Sequence, residues 1–145
     1  MHPLVTELTA KRKPRDGLEG KFSVFHGGAV GLLFGKAGPA QYADDVVRDE
    51  DVIRIRDKID AVDDDVLAAD ETYLTVHLRD GRRLEKHIEH AVGSLEVPMS
   101  DEQLTEKFVD QATLLLGSVE HAQQASELAW KIGEVNDVAT ILARL

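Results

Sequence analysis

Cysteine is absent from all 145 residues. That absence excludes disulfides, zinc–thiolate sites, iron–sulfur clusters and thiol nucleophiles, and leaves only histidine and carboxylate as metal ligands. No apolar stretch reaches the ~18 residues of a membrane span. Residues 1–5 have neither the basic nor the long apolar region of a signal peptide, so a cytoplasmic location is the default expectation. Cations are also scarce, with 17 Lys and Arg against 27 Asp and Glu and a net charge of -10. Binding to nucleic acid or to an anionic membrane needs a dense cationic surface, so neither partner is expected. There is no internal repeat and no low-complexity segment. What is present is 43% hydrophobic residues, enough for one domain, or for one small domain with appended helices.

The patterning predicts an α+β chain. Leu4, Thr6 and Leu8 alternate, which reads as a short strand over residues 3–9, followed by a polar loop through Pro14, Asp16-Gly17 and Gly20. A helix is expected from about Phe22 to Gly35, with Phe22, Phe25, Ala29, Leu32 and Leu33 on its buried stripe. Pro39 suits the first turn of a short helix through Tyr42, and Asp49 caps another with Val52, Ile55 and Ile59 on one side. A brief strand is expected at Ala61-Val62. Residues 72–90 read as a hairpin. A two-residue Asp80-Gly81 turn would set Leu78 against Arg83 and Val76 against Glu85, whereas a three-residue Arg79-Asp80-Gly81 turn pairs Val76 with Leu84. The longer turn is therefore predicted, with Gly81 left-handed and Tyr73, Thr75, His77, Arg83, Glu85 and His87 on the wet face.

Beyond the hairpin, Ser100-Asp101-Glu102-Gln103 is a capping box. It opens a helix with Leu104, Phe108, Ala112 and Leu115 on its buried stripe, stopped at Gly117. Ser118 caps a second helix carrying Val119, Ala122, Ala129 and Ile132, and a last one places Val135, Val138, Ile141 and Leu142 on a face. This tail has more apolar positions than its own helices can cover, so it is expected to dock on something else.

The run Lys21-Phe22-Ser23-Val24-Phe25-His26-Gly27-Gly28-Ala29-Val30-Gly31 carries the strongest chemical signal. Each glycine inside a helix costs about 1 kcal/mol relative to alanine. Gly27, Gly31 and Gly35 recur every four residues, which makes a groove for close approach by a ligand or by another helix. Residues 31–37 lack the leading glycine and trailing hydroxyl of a phosphate loop. His26, between Lys21 and the groove, is placed to move protons near neutral pH, and Lys21 with first-turn backbone donors to hold a carboxylate. A lone histidine is nevertheless more often a packed side chain than a catalytic one. Lys11, Arg12, Lys13, Arg15 and Lys21 make a locally basic stretch, read either as a solvated loop or as steering for a carboxylate substrate. His87 and His90 sit three apart on a strand, on opposite faces, and cannot share a metal. His2, His77 and His121 lack ligand-like neighbours, and the acidic groups Asp44-Asp45 and Asp63-Asp64-Asp65 read as caps and turns rather than as a cation loop.

In order and spacing, several segments together resemble the C-terminal portion of the MmgE/PrpD family over nearly the whole chain. They are His2-Pro3-Leu4-Val5-Thr6-Glu7-Leu8-Thr9, Gly17-Leu18-Glu19-Gly20-Lys21-Phe22-Ser23, the glycine helix, the Asp80-Gly81 hairpin, Glu89-His90-Ala91-Val92-Gly93-Ser94 leading to Pro98, and Lys107-Phe108. The resemblance implies a lid-like α+β domain over residues 1–97 and a helical tail, residues 98–145, that returns to a large helical domain. It implies 2-methylcitrate dehydratase-like or cis-aconitate decarboxylase-like chemistry on a small polycarboxylate, by acid–base catalysis with no tightly bound organic cofactor; from the residues themselves no metal site is expected. The site lies between two domains, so the chain alone should be inactive. By resemblance, Lys21 and Ser23 bind substrate and His26 is catalytic. Relatives such as the decarboxylases often carry tyrosine at that position, and the change from phenol to imidazole leaves dehydration, decarboxylation and epimerisation as alternatives. Met1 falls mid-sequence relative to full-length relatives, which implies a truncated frame, a split gene or an engineered piece. The alternative expectation is a non-catalytic, stand-alone α+β module that acts through self-association or partner binding.

Overall fold

The computed structural model describes residues 1–142. The chain divides into two compact units, Met1–Pro98 and Met99–Leu145. The first unit runs α1 (Pro3–Thr9), α2 (Gly17–Lys21), α3 (Val24–Phe34), a 3₁₀ turn (Pro39–Tyr42), α4 (Asp44–Arg48), α5 (Glu50–Arg56) and the strands β1 (Thr72–His77) and β2 (Arg83–Ile88). Helices with one antiparallel hairpin make it α+β, as the pattern predicts.

Two expected strands are absent. Residues 3–9 form a helix because local hydrogen bonds outweigh the alternation. The His2 ring accepts the Leu4 N–H at 3.1 Å, Pro3 occupies the first turn, and the Thr6 and Thr9 hydroxyls donate back to the Pro3 and Val5 carbonyls at 2.8 and 2.6 Å. Leu4 and Leu8, read as alternating, are also one helical turn apart, and the spacing alone does not separate the two periods. At Ala61-Val62 no ladder forms. The Val62 carbonyl accepts the Met1 amino group at 2.9 Å, and Asp64 N–H donates to the Met1 carbonyl at 2.8 Å.

Helix α3 starts two residues later than predicted, because Ser23 caps it and Phe22 belongs to the end of α2. The core lies where α3 meets α5. Ala29, Val30 and Val52 are fully buried, and Val46, Ile55 and Ile59 pack against them. A fully buried valine contributes about 1.5–3 kcal/mol, so a core of this size is modest. Of the expected stripe on α3 only Phe25 and Ala29 are buried, while Phe22, Leu32 and Leu33 stand exposed together with Phe34 and Leu18. The glycines divide in the same way. A Cβ on Gly28 would meet Ile59 at 3.0 Å and one on Gly27 the Tyr42 hydroxyl at 3.3 Å, while Gly31 faces open space and Gly35 is the C-cap.

The hairpin takes the three-residue turn. Val76 pairs with Leu84, Leu78 N–H donates to the Arg82 carbonyl at 2.9 Å, and Gly81 has φ +88°. On the predicted wet face Tyr73 stacks on His87 with ring centres 4.0 Å apart and the planes 2° from parallel. Leu74 and Leu84, on the other face, are exposed too.

The second unit contains α6 (Asp101–Leu116), α7 (Val119–Trp130), a 3₁₀ turn (Ile132–Glu134) and α8 (Ala139–Leu142). The capping box, the Gly117 stop and the Ser118 cap form as predicted. Trp130 donates its indole N–H to the Thr105 hydroxyl at 2.8 Å across the α6–α7 pair. The buried stripes are thinner than the pattern implies: Ala122, Ala125 and Ser126 are buried on α7, but Leu104, Phe108, Leu115, Val119 and Ile132 are exposed, as is Ala129. Of the expected last helical face, the side chains of Ile141 and Leu142 lie outside the described residues. Among the described residues no helix is long and apolar enough to cross a membrane.

Candidate functional site

The run Gly17-Leu18-Glu19-Gly20-Lys21-Phe22-Ser23 folds as a short capped helix followed at once by a second cap. The Asp16 carboxylate accepts the Glu19 N–H at 2.8 Å to start α2, and the Ser23 hydroxyl accepts the His26 N–H at 3.1 Å to start α3. An antiparallel bridge between Ala10 and Ser23 fixes the junction. These bonds set Lys21, Ser23 and His26 on one tight corner.

The three residues sit in different surroundings. Lys21 ends α2 with an exposed side chain and has no ion-pair partner among the described residues. Ser23 is buried and its hydroxyl is engaged as the cap. His26 is fully buried. Its Nε2 lies 2.9 Å from the Gln41 carbonyl, so that nitrogen donates and Nδ1 is the unprotonated one. Nδ1 has no partner among the described residues. The Tyr42 ring meets the imidazole edge-on with centres 5.2 Å apart. Burial lowers the His26 pKa from its usual 6.5, against the hydrogen bond to Gln41, and the nearby Arg56 cation lowers it further. Arg56 is itself buried, donating to the Val47 carbonyl at 3.2 Å.

Gly17 and Gly20 make this corner possible, where the sequence pattern predicts a polar loop. A Cβ on Gly17 would fall 2.0 Å from the Tyr42 carbonyl oxygen, and the Gly17 N–H donates to Asp44 at 2.8 Å. A Cβ on Gly20 would meet Val47 at 3.0 Å and both His26 and Tyr42 at 3.4 Å. Gln41, Tyr42 and Arg56 were also missed. Two glycines three apart, on one face of a short helix, are the available signal for the close approach, but nothing in the spacing names Tyr42 as what they approach.

The basic stretch is mostly tied into the fold. Glu19 holds Lys11 at 2.7 Å and Arg15 at 2.8 Å, and Arg12 pairs with Asp60 at 3.3 Å while lying over the Phe25 ring. Lys13 and Lys21 are the cations of this stretch with no ion pair among the described residues. Hydrogen bonds from Arg15, then Lys11, then the Arg15 backbone pull the Glu19 pKa down to about 2.

Two pH windows follow, with the same sign of linkage in each. The folded state resists protonation of both groups, so the unfolded chain binds more protons and stability falls on acidification. For His26 the loss begins as pH drops below its unfolded value of 6.5. For Glu19 it begins below 4.5 and continues to about 2. Urea midpoints measured from pH 8 to pH 2 should fall in both windows, with the first step absent in His26→Gln and the second made smaller in Glu19→Gln, because Asp70, Glu71, Asp80 and Glu102 are also held below their usual values.

With this geometry in place, comparison with protein families gives a clear match. The model of the MmgE/PrpD C-terminal domain covers residues 1–132, and the chain belongs to that family. A search of curated proteins found no match.

Proposed function

We propose that this chain supplies the lid side of an active site for a lyase or isomerase acting on a small polycarboxylate, completed by a large helical domain and inactive without it. The reading rests chiefly on the family match, which spans the whole Lys21–Ser23–His26 corner. In it, Lys21 binds a substrate carboxylate, Ser23 holds the turn that presents the lysine and contributes to substrate binding, and His26 is the acid–base residue. The exposed, unpaired Lys21 and the unpartnered Nδ1 of a neutral His26 support these roles. A neutral imidazole with a lowered pKa is a base at physiological pH, ready to accept a proton through its free nitrogen. The ring is sealed in the conformation described, so catalysis by His26 requires α2 or Tyr42 to move off it when the domains meet. Dehydration of a 2-methylcitrate-like substrate, decarboxylation and epimerisation all fit a carboxylate clamp with one base. The proposed partners are the substrate and the helical domain, with no cofactor, nucleic acid or membrane, and the proposed compartment is the cytoplasm.

Mixing the chain with the N-terminal helical domain of a family member, on tricarboxylate substrates, tests this directly. Turnover should appear only in the mixture.

One observation favours a second reading, that of a non-catalytic module working by self-association. Leu32, Leu33 and Phe34 are exposed on consecutive positions of α3 beside the open Gly31. Light scattering separates the readings, since a monomer that becomes active with the helical domain excludes the second.

A further inference from the structure

We infer that Asp70, His90 and Glu96 form a site for a divalent metal of the zinc class at the open end of the hairpin. One ligand atom from each residue lies within 4.8 Å of the others, and among the described residues this is the group that converges so. The hairpin register brings the first two together. Thr72 pairs with Ile88 at the last rung, and the same register carried two residues outward sets Asp70 opposite His90. Their side chains are hydrogen-bonded at 3.0 Å, from His90 Nδ1 to Asp70 Oδ2, so a bound ion takes the place of the proton between them.

Glu96 arrives from the loop that follows. Gly93 takes φ +93°, a left-handed conformation that suits glycine, and turns the chain back. Its N–H donates to the Val97 carbonyl at 2.7 Å, Val97 N–H to the Ser94 hydroxyl at 3.1 Å, and Ser94 N–H to the Ala91 carbonyl at 3.1 Å. The loop is thus closed on itself with Glu96 beside the imidazole. No ligand motif announces the set in the sequence, because the residues come from a turn, the bend that follows β2 and a loop.

The donors select the ion. One imidazole nitrogen with two carboxylate oxygens matches zinc, which binds both atom types at about 2.0–2.2 Å in tetrahedral geometry with room for water. Magnesium and calcium prefer shells made wholly of oxygen. Ligands on one zinc ion sit about 3.4 Å apart, so the Asp70–His90 contact is already near that spacing. Glu96, exposed on its loop, closes the remaining ångström or so by rotating about its own side-chain bonds. The neighbouring His87 is outside the set. It is held by Glu71 at 2.8 Å and stacked on Tyr73. A bound ion therefore staples residues 91–97 to the base of the hairpin.

Calorimetric titration of the full chain with zinc chloride, paired with thermal unfolding, tests the site. The wild type should bind one equivalent and melt at a higher temperature with zinc, since an ion that binds the folded chain shifts the unfolding equilibrium. His90→Ala and Glu96→Gln should each weaken binding at least tenfold, His87→Ala should leave it unchanged, and magnesium chloride should give no binding heat. If His90→Ala does not fold, Glu96→Gln on its exposed loop decides alone. Absence of zinc binding by the wild type overturns the inference, as does a Glu96→Gln chain that binds zinc as the wild type does.

Discussion

Alanine in place of His26 should destabilise the first unit by about 2–4 kcal/mol, the range for emptying a packed site and stranding a hydrogen-bond acceptor. The ring is fully buried, touches Tyr42 edge-on, and supplies the donor for the Gln41 carbonyl. Removing it leaves a cavity beside Gly20 and Tyr42. The urea midpoint should drop with little change in slope. Glutamine is the more informative replacement, because its amide can still donate to Gln41 while it titrates nowhere in the working range. His26→Gln should retain most of the stability yet leave the completed two-domain enzyme without turnover. Undiminished turnover in that variant would make His26 a structural residue only.

Gly17→Ala should be far worse for folding than the same change at Gly31 on the exposed face of α3. The added methyl falls 2.0 Å from the backbone oxygen of Tyr42, and a backbone oxygen cannot swing away as a flexible side chain can. Either α2 lifts off, losing the Gly17–Asp44 hydrogen bond, or the 3₁₀ turn shifts and takes the Gln41 carbonyl away from His26. Overpacking of this kind costs about 3 kcal/mol or more when the backbone must move. Gly31→Ala is the matched control. Nothing lies within 4 Å of its Cβ position, so replacing a mid-helix glycine should stabilise the chain by about 1 kcal/mol. Chemical unfolding of the two variants side by side, with far-UV dichroism to follow helix content, measures the contrast.

Local chemistry was the part of this fold most legible in the sequence. The Ser100 capping box, the Ser118 and Asp49 caps, the Pro39 turn and the three-residue hairpin loop each depend on a few adjacent residues, and each formed as read. The α1 segment misled because its decisive bonds come from His2, Thr6 and Thr9, polar side chains whose local hydrogen bonding a hydrophobic pattern does not register. Burial was read least well. Leu32, Leu33, Leu104 and Phe108 sit at helical spacing and were assigned to buried stripes, yet they are exposed. Periodicity says which side chains share a face, not whether anything covers it. The corner itself was only half legible. His26 and its glycines stood out, but the Gln41 carbonyl, Tyr42 and Arg56 that define the imidazole's state come from later elements, and no spacing rule links them to position 26.

The claim that this chain is one wall of a polycarboxylate site meets its most direct test in a single assay. The chain, alone and mixed with a family helical domain, is incubated with 2-methylcitrate or cis-aconitate and product is followed by chromatography. Neither part should turn over alone, the mixture should, and Lys21→Ala in the mixture should raise KM with a smaller effect on kcat. A mixture that associates, as shown by light scattering, yet stays inactive on both substrates, or one in which Lys21→Ala and His26→Gln change nothing, contradicts the account.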